Sequence, residues 1–207
     1  MIEKQLIEIT NKIRALAQIG LVYAENDYDT ERNEEIIAAC NEAAALLAGR
    51  PVEEIKASFM PEAGYVTPKV DVRAVVFNKQ GDILMSRESS DGAWSLPGGW
   101  ADVGYTPREV AVKETKEETG MDVVPVRLLA VLDKRCHNHP PSLHYIYKIF
   151  ILCELAGGAL QPGFDILDCR FFAPDDLPPL SPSRITKEQM ERMFEYKNNP
   201  LKEAIVD

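Results

Sequence analysis

Leu96-Pro97-Gly98-Gly99-Trp100-Ala101-Asp102-Val103-Gly104 and, further on, Lys113-Glu114-Thr115-Lys116-Glu117-Glu118-Thr119-Gly120 are the stretch on which the reading of this chain turns. The second part belongs to a helix expected over Thr106 to Thr119 and stopped by Gly120. On such a helix Glu114, Glu117 and Glu118 stand at i, i+3 and i+4, so their carboxylates share one face. Val110 and Ala111 lie on that side one turn earlier, so this face is not simply bathed in water. Taken alone, a Lys/Glu-rich turn is ordinarily a solvated face held by pairs such as Glu109 and Lys113. The glycine pair changes the balance. Gly98 and Gly99 allow main chain to approach a ligand closely, and a loop entering a helix presents N–H groups suited to phosphate oxygens. Three carboxylates facing a cleft suit a multivalent hard cation such as Mg²⁺, which takes oxygen ligands. An anion-binding loop joined to a carboxylate helix is what metal-dependent cleavage of a phosphoanhydride would use.

Outward from this stretch, Val70 to Phe77 and Ile83 to Arg87 are strand-like and flank turn chemistry at residues 78–82, which predicts a hairpin. Further strands are expected at Val123 to Leu132, Tyr145 to Leu155 and Phe171 to Phe172, with a last helix over Thr186 to Lys197. The irregular alternation predicts a mixed α/β domain rather than a regular βαβ winding. The N-terminal part is helical instead. Ile2, Leu6, Ile9, Ile13, Leu16 and Gly20 recur along one face, and residues 26–30 break the helix and offer caps for the next. That second helix carries Ile36, Ile37, Leu46 and Leu47 and ends at Gly49. Pro51 opens a third, with Ile55 and Phe59 inward, and residues 61–68 form a linker. The expected division is an N-terminal helical domain over 1–64 and a catalytic domain over 65–207.

The length of 207 residues suits one domain with a small partner and is ample for a hydrophobic core. Net charge is −10, divided as −6 over residues 1–64 and −4 over 65–207. No bulk basic field is available to neutralise a phosphate backbone, so a nucleic-acid partner is not expected. The longest apolar runs are far too short to span a membrane, no secretory signal is visible, and Cys40, Cys136, Cys153 and Cys169 form no paired motif. Reduced thiols and a cytoplasmic location are expected.

The quoted residues resemble the signature of the Nudix hydrolases: glycine, five residues, glutamate, seven residues, then Arg-Glu-aliphatic-X-Glu-Glu-X-Gly-aliphatic. Laid over this chain, it runs from Gly99 to Met121, with Gly99, Glu114, Glu117, Glu118, Gly120 and Met121 matching. Tyr105 stands in place of the first glutamate, Lys113 in place of arginine, and Thr115 at the first aliphatic position. The resemblance implies an α-β-α sandwich over roughly residues 68–207. It also implies Mg²⁺-dependent (or Mn²⁺-dependent) hydrolysis of a nucleoside diphosphate linked to another moiety. By the same analogy Glu114, Glu117, Glu118 and the main-chain carbonyl of Gly98 hold metal, while Lys113 braces a catalytic carboxylate. Lysine keeps the charge of the arginine it replaces but loses the planar fork. Asp102 is the nearest spare acid to Tyr105. The helical extension, the wording from Gly98 to Val103 and the loop His137-Asn138-His139-Pro140 resemble a Nudix subgroup acting on CDP-choline and UDP-linked compounds, some of whose relatives cleave ADP-ribose.

The expected reaction releases a nucleoside monophosphate and a phosphorylated moiety, with CDP-choline as first substrate and UDP-sugars or ADP-ribose behind it. Glu117 and Glu118 are the first candidates to take the proton of the attacking water. Arg73, Arg87, Lys134 and Arg135 are candidate phosphate clamps, although each has an ordinary reading as a surface or strand-pairing charge. His137 is a candidate substrate contact on a loop expected to be Pro-rich with exposed histidines. Trp94, Trp100, Tyr65 and Tyr145 are candidate base-stacking residues or simply core. Two other readings stay open at this stage, a nucleotide-sensing relative without catalysis and an RNA-end hydrolase. The apolar helical extension points to a homodimer.

Overall fold

A computed structural model describes residues 2–59 and 64–207. The chain divides into two compact units, residues 1–68 with 140–145, and residues 69–139 with 146–207. Of the expected linker, residues 61–63 lie outside the described residues.

The first unit contains α1 (Ile2–Val22), α2 (Asp27–Ala48) and α3 (Val52–Ser58). Asn26 caps α2 by accepting from the Asp29 N–H, and Gly49 ends it with φ at 61°. Pro51 is the N-cap of α3 rather than its first residue. Ile55 is fully buried with Ala44 and Ala45, and Phe59 packs against them. The inward side of α1 is not the expected stripe. Ile7, Asn11 and Ala17 are buried, whereas Ile2, Leu6, Ile9, Ile13 and Leu16 are 45–72% exposed. The polar residues between the apolar ones explain this. Asn11 donates to the Ser142 carbonyl at 2.9 Å, and Arg14 donates to Asn41 at 3.1 Å while lying 3.5 Å over the Phe59 ring. The Asn11 amide N–H and the Arg14 guanidinium find their partners inside the unit and leave the apolar stripe outside.

The second unit carries β1 (Lys69–Val76), β2 (Ile83–Glu88), β3 (Trp94–Ser95), β4 (Gly98–Trp100), α4 (Pro107–Thr119), β5 (Met121–Asp133), a 3₁₀ turn (Lys134–Cys136), β6 (Ile146–Gly158), β7 (Ile166–Phe172), α5 (Lys187–Asn198) and β8 (Ile205–Val206). A five-stranded mixed sheet has the order β4-β1-β6-β5-β8, and a three-stranded sheet has the order β3-β2-β7. The expected hairpin is therefore not formed. β1 and β2 share a single bridge, Phe77 to Ile83, and then part into different sheets. β1 instead pairs parallel with β6, so its alternate residues serve two cores. Val72, Ala74 and Val76 pack with Val110 and Ala111 of α4, while Val75 packs with Phe150, Met190 and Met193 on the α5 side. α4 is fixed at both ends by a Thr106/Glu109 capping box and by Gly120 in the left-handed region. Among the described residues no helix is long and apolar enough to cross a membrane.

Candidate active site

Gly98 and Gly99 are not a loop leading into the helix. They form β4 against β1, with Arg73 opposite Gly98 and Val72 opposite Gly99, and α4 begins only at Pro107. The N-terminus of α4 is filled by its own capping box and carries Glu109, so it is not arranged to receive phosphate. The glycines matter for closeness instead. A Cβ on Gly98 would lie 2.0 Å from the Val72 carbonyl oxygen, and one on Gly99 would lie 3.0 Å from Glu114 Oε2. Lacking side chains, they let α4 lay two carboxylates on the strand.

The three glutamates occupy different environments. Glu118 is only 9% exposed. Ser86 Oγ donates to its Oε2 at 2.7 Å, and the Gly98 N–H donates to its Oε1 at 3.4 Å. Burial pushes its carboxyl up to about 8, with Glu88 and Glu114 adding to the effect and Ser86 and Arg73 opposing it. Glu114 is half-buried beside Gly99, and burial raises it too. Glu117 is exposed and accepts from Lys113 at 2.8 Å; the same ammonium lies 3.4 Å from Glu114. Lys113 thus braces two of the carboxylates, its pKa raised chiefly by the hydrogen bond to Glu117. Thr115, standing at an aliphatic position of the signature, is fully buried because its hydroxyl donates to the Ala111 carbonyl at 2.7 Å. Tyr105 and Asp102 are exposed ahead of α4, and neither is hydrogen-bonded to the glutamates.

Two carboxylates whose burial disfavours their charge, beside a glycine strand, fit a hard cation in donor chemistry. Among the described residues, however, no three His, Cys, Asp or Glu side chains are drawn together as a metal ion requires. Glu117 would have to exchange Lys113 for the ion.

Several expected substrate contacts are spent elsewhere. Arg73 is buried, donating to Asp71 at 2.9 Å and to the Leu96 carbonyl at 3.0 Å, and its charge bears on Glu118 and Glu114. It is an internal brace, not a clamp open to ligand. Arg87 holds the Gly92 carbonyl at 2.8 Å, and alternation along β2 turns it away from the side where Ser86 meets Glu118. The histidines are not exposed either. His137 is buried against Asp207 at 2.8 Å, and His139 is buried with Nδ1 2.7 Å from the Pro182 carbonyl oxygen. Trp94 is core, edge-on to Phe172, and the Tyr145 hydroxyl donates to the Glu8 carbonyl, whereas Trp100 and Tyr65 are exposed.

Residues the sequence reading passed over complete the surroundings. Asp71 pairs with Arg73 and with Lys148, which is directly opposite it in the β1–β6 register. Ser95 donates to Glu88 at 2.7 Å, and Arg184 pairs with Glu88 at 3.1 Å and with Asp91 at 3.6 Å. The visible signals were the alternation of Asp71 and Arg73 in β1 and the single lysine in the apolar run from Ile146 to Cys153.

A glycine strand holding a carboxylate helix against a mixed sheet is the site of the Nudix hydrolases, and the chain belongs to that family. The NUDIX domain profile matches residues 67–194, and a second profile, described as a UDP-X-like, N-terminal oligomerisation domain, matches residues 4–59. The chain is a Nudix hydrolase, and hydrolases of this family generally use divalent metal ions. Among its relatives, a Bacillus subtilis protein provisionally named an ADP-ribose pyrophosphatase is 43% identical over 206 residues, spanning 100% of this chain and 99% of its own. The crystal structure of an ADP-ribose pyrophosphatase from Streptococcus suis is 43% identical, covers 68% of this chain and 100% of its own, and superposes with a TM-score of 0.62. That of a UDP-X diphosphatase is 32% identical over 99% of both chains, with a TM-score of 0.63.

Proposed function

We propose that this enzyme hydrolyses the diphosphate of a nucleoside diphosphate linked to a second moiety, releasing a nucleoside monophosphate and a phosphorylated product. The observation that carries the reading is the placement of Glu118 and Glu114 of α4 against Gly98 and Gly99 of β4, with Lys113 bracing Glu114 and Glu117. Glu114, Glu117, Glu118 and the Gly98 carbonyl are the proposed ligands of Mg²⁺, with Mn²⁺ as a substitute. When bound, the ion supplies charge withdrawal from phosphorus and a water acidic enough to attack. Glu117, the most exposed of the three, and Glu118 are the proposed acceptors of the attacking water's proton. The names of the relatives put ADP-ribose and UDP-linked compounds beside CDP-choline, the first choice from sequence alone. The four free thiols suit the cytoplasm. The helical part is assigned its own task, forming a homodimer through the α1 stripe.

The test is a panel of CDP-choline, UDP-glucose and ADP-ribose with Mg²⁺ or with chelator, reading the monophosphate by chromatography. Metal-dependent turnover of at least one member is expected. Glu118→Gln should lose about a hundredfold or more, the scale on which one lost charge-stabilising group costs an enzyme. Full activity in that variant, or in chelator, would refute the assignment.

A further inference from the structure

Close enough to the buried Asp71–Arg73 pair to feel both charges is an ammonium that no group among the described residues satisfies. Lys134 opens the 3₁₀ turn after β5 and is 9% exposed. Among the described residues its ammonium makes no hydrogen bond and no ion pair, whereas its neighbour Arg135 is spent on Asp133 at 2.5 Å. The acid whose charge bears on it is already taken, since Asp71 serves Arg73 and Lys148. Yet the Lys134 nitrogen is not among the fully enclosed side-chain atoms that lack a partner, so it keeps access to the surface. A nearly buried, unpaired charge costs several kcal/mol, and a fold retains one where a ligand of opposite sign completes it.

The location says which ligand. Across the sheet, Trp100, Asp71, Lys148 and Leu132 stand in one row over β4, β1, β6 and β5, and Lys134 follows two residues after Leu132. The charge of Arg73 bears both on Lys134 and on Glu114 and Glu118, so the ammonium and the carboxylates share one neighbouring guanidinium. Burial, with Arg73 and Arg184, lowers the Lys134 pKa against the pull of Asp71; burial likewise lowers that of His139, with Lys148, Lys134 and His137 adding to it. Two guanidiniums and one already paired carboxylate thus bear on the ammonium, and an anionic ligand reaching it from the surface would complete the balance.

We infer that Lys134 contacts the anionic oxygens of the substrate's diphosphate, at the end of the site away from the α4 glutamates. This rests on the hydrolase reading above and adds a specific binding residue to it.

The experiment compares wild type with Lys134→Met, which keeps the length of the side chain and removes the charge, and with Lys134→Gln. KM for whichever panel member is hydrolysed should rise about tenfold or more, as a lost charge-assisted hydrogen bond requires, with kcat within about threefold. Calorimetric titration with inorganic pyrophosphate in the presence of Mg²⁺ should show a matching loss of affinity. The melting temperature should hold or rise, because an uncompensated charge has been removed. If wild type turned over nothing, the hydrolase reading would fail while the pyrophosphate titration still measured the contact. Unchanged KM and unchanged pyrophosphate affinity in both variants would overturn the inference, as would a lowered melting temperature with binding intact.

Discussion

At the scale of single residues, the buried charges beside β4 are unequal in what they can lose. Asp71 is held below the usual carboxylate range because, although burial alone would raise it, Arg73 and Lys148 outweigh that. Lys148 is lowered by its own burial and by Arg73, one carboxylate being shared between two cations. Asp71→Asn would strand both cations in the interior and should cost about 3–5 kcal/mol, while Lys148→Met leaves Asp71 paired with Arg73 and should cost much less. Urea unfolding of the two variants would read the difference, and equal losses would contradict the sharing. His139 gives a pH signature of the opposite kind. Burial brings its pKa down to about 4, so the folded protein keeps the ring neutral while the unfolded chain protonates near 6.5. Stability from this group is fully present above about pH 6.5. It is lost as pH falls from there to about 4 and is flat below, a change of about 3 kcal/mol at most. In His139→Gln that part of the acid slope should vanish; parallel slopes for variant and wild type between pH 7 and 4 would show that the ring is not its source.

At the scale of elements, the two glycines of β4 make separable predictions. Gly98→Ala would press a methyl group onto the Val72 carbonyl and the Arg73 Cα, backbone atoms that cannot yield, at a φ of 146°. It should lose about 2–4 kcal/mol and metal-dependent turnover together. Gly99→Ala meets only the end of the Glu114 side chain, so it should fold nearly as well as wild type but turn over poorly, Glu114 having been moved. Urea midpoints and initial rates on both variants decide this; equal stability losses would mean the strand, not the carboxylate, governs both. The same elements show what the sequence could and could not disclose. α4 was legible end to end, since Thr106, Glu109 and Gly120 are local signals for a helix spanning 107–119. The β1–β2 hairpin was not, because turn chemistry at 78–82 is a local cue while the sheet each strand joins is set by distant partners, β6 for one and β7 for the other. The glycine pair was legible as a place of close approach but not as a strand, since three residues carry no period. Burial of His137 and His139 was hidden as well, because their partners, Asp207 and the Pro182 carbonyl, lie tens of residues away in sequence.

At the scale of the whole molecule, the exposed stripe on α1 is expected to meet a second copy. Ile2, Leu6, Ile9, Ile13 and Leu16 follow one another at helical spacing on a helix whose opposite side is already packed, and the matching family profile is described as an oligomerisation domain. In a two-fold arrangement the same five side chains are used twice. At roughly 1–2 kcal/mol for each half-exposed side chain newly buried, ten give about 10–20 kcal/mol gross. Association costs of about 4–15 kcal/mol reduce this to a moderate net affinity. Residues 1–64 carry −6 in each copy, so the two surfaces repel, and added salt should tighten the association by screening that repulsion while leaving the apolar contact intact. Sedimentation velocity at micromolar protein should show a dimer that strengthens from low to moderate salt. Ile9→Glu combined with Ile13→Glu should sediment as a monomer while keeping its helical circular dichroism, since both side chains are exposed in the single chain. A double variant that still dimerised, or a wild type monomeric at every salt concentration, would remove the α1 stripe as the interface.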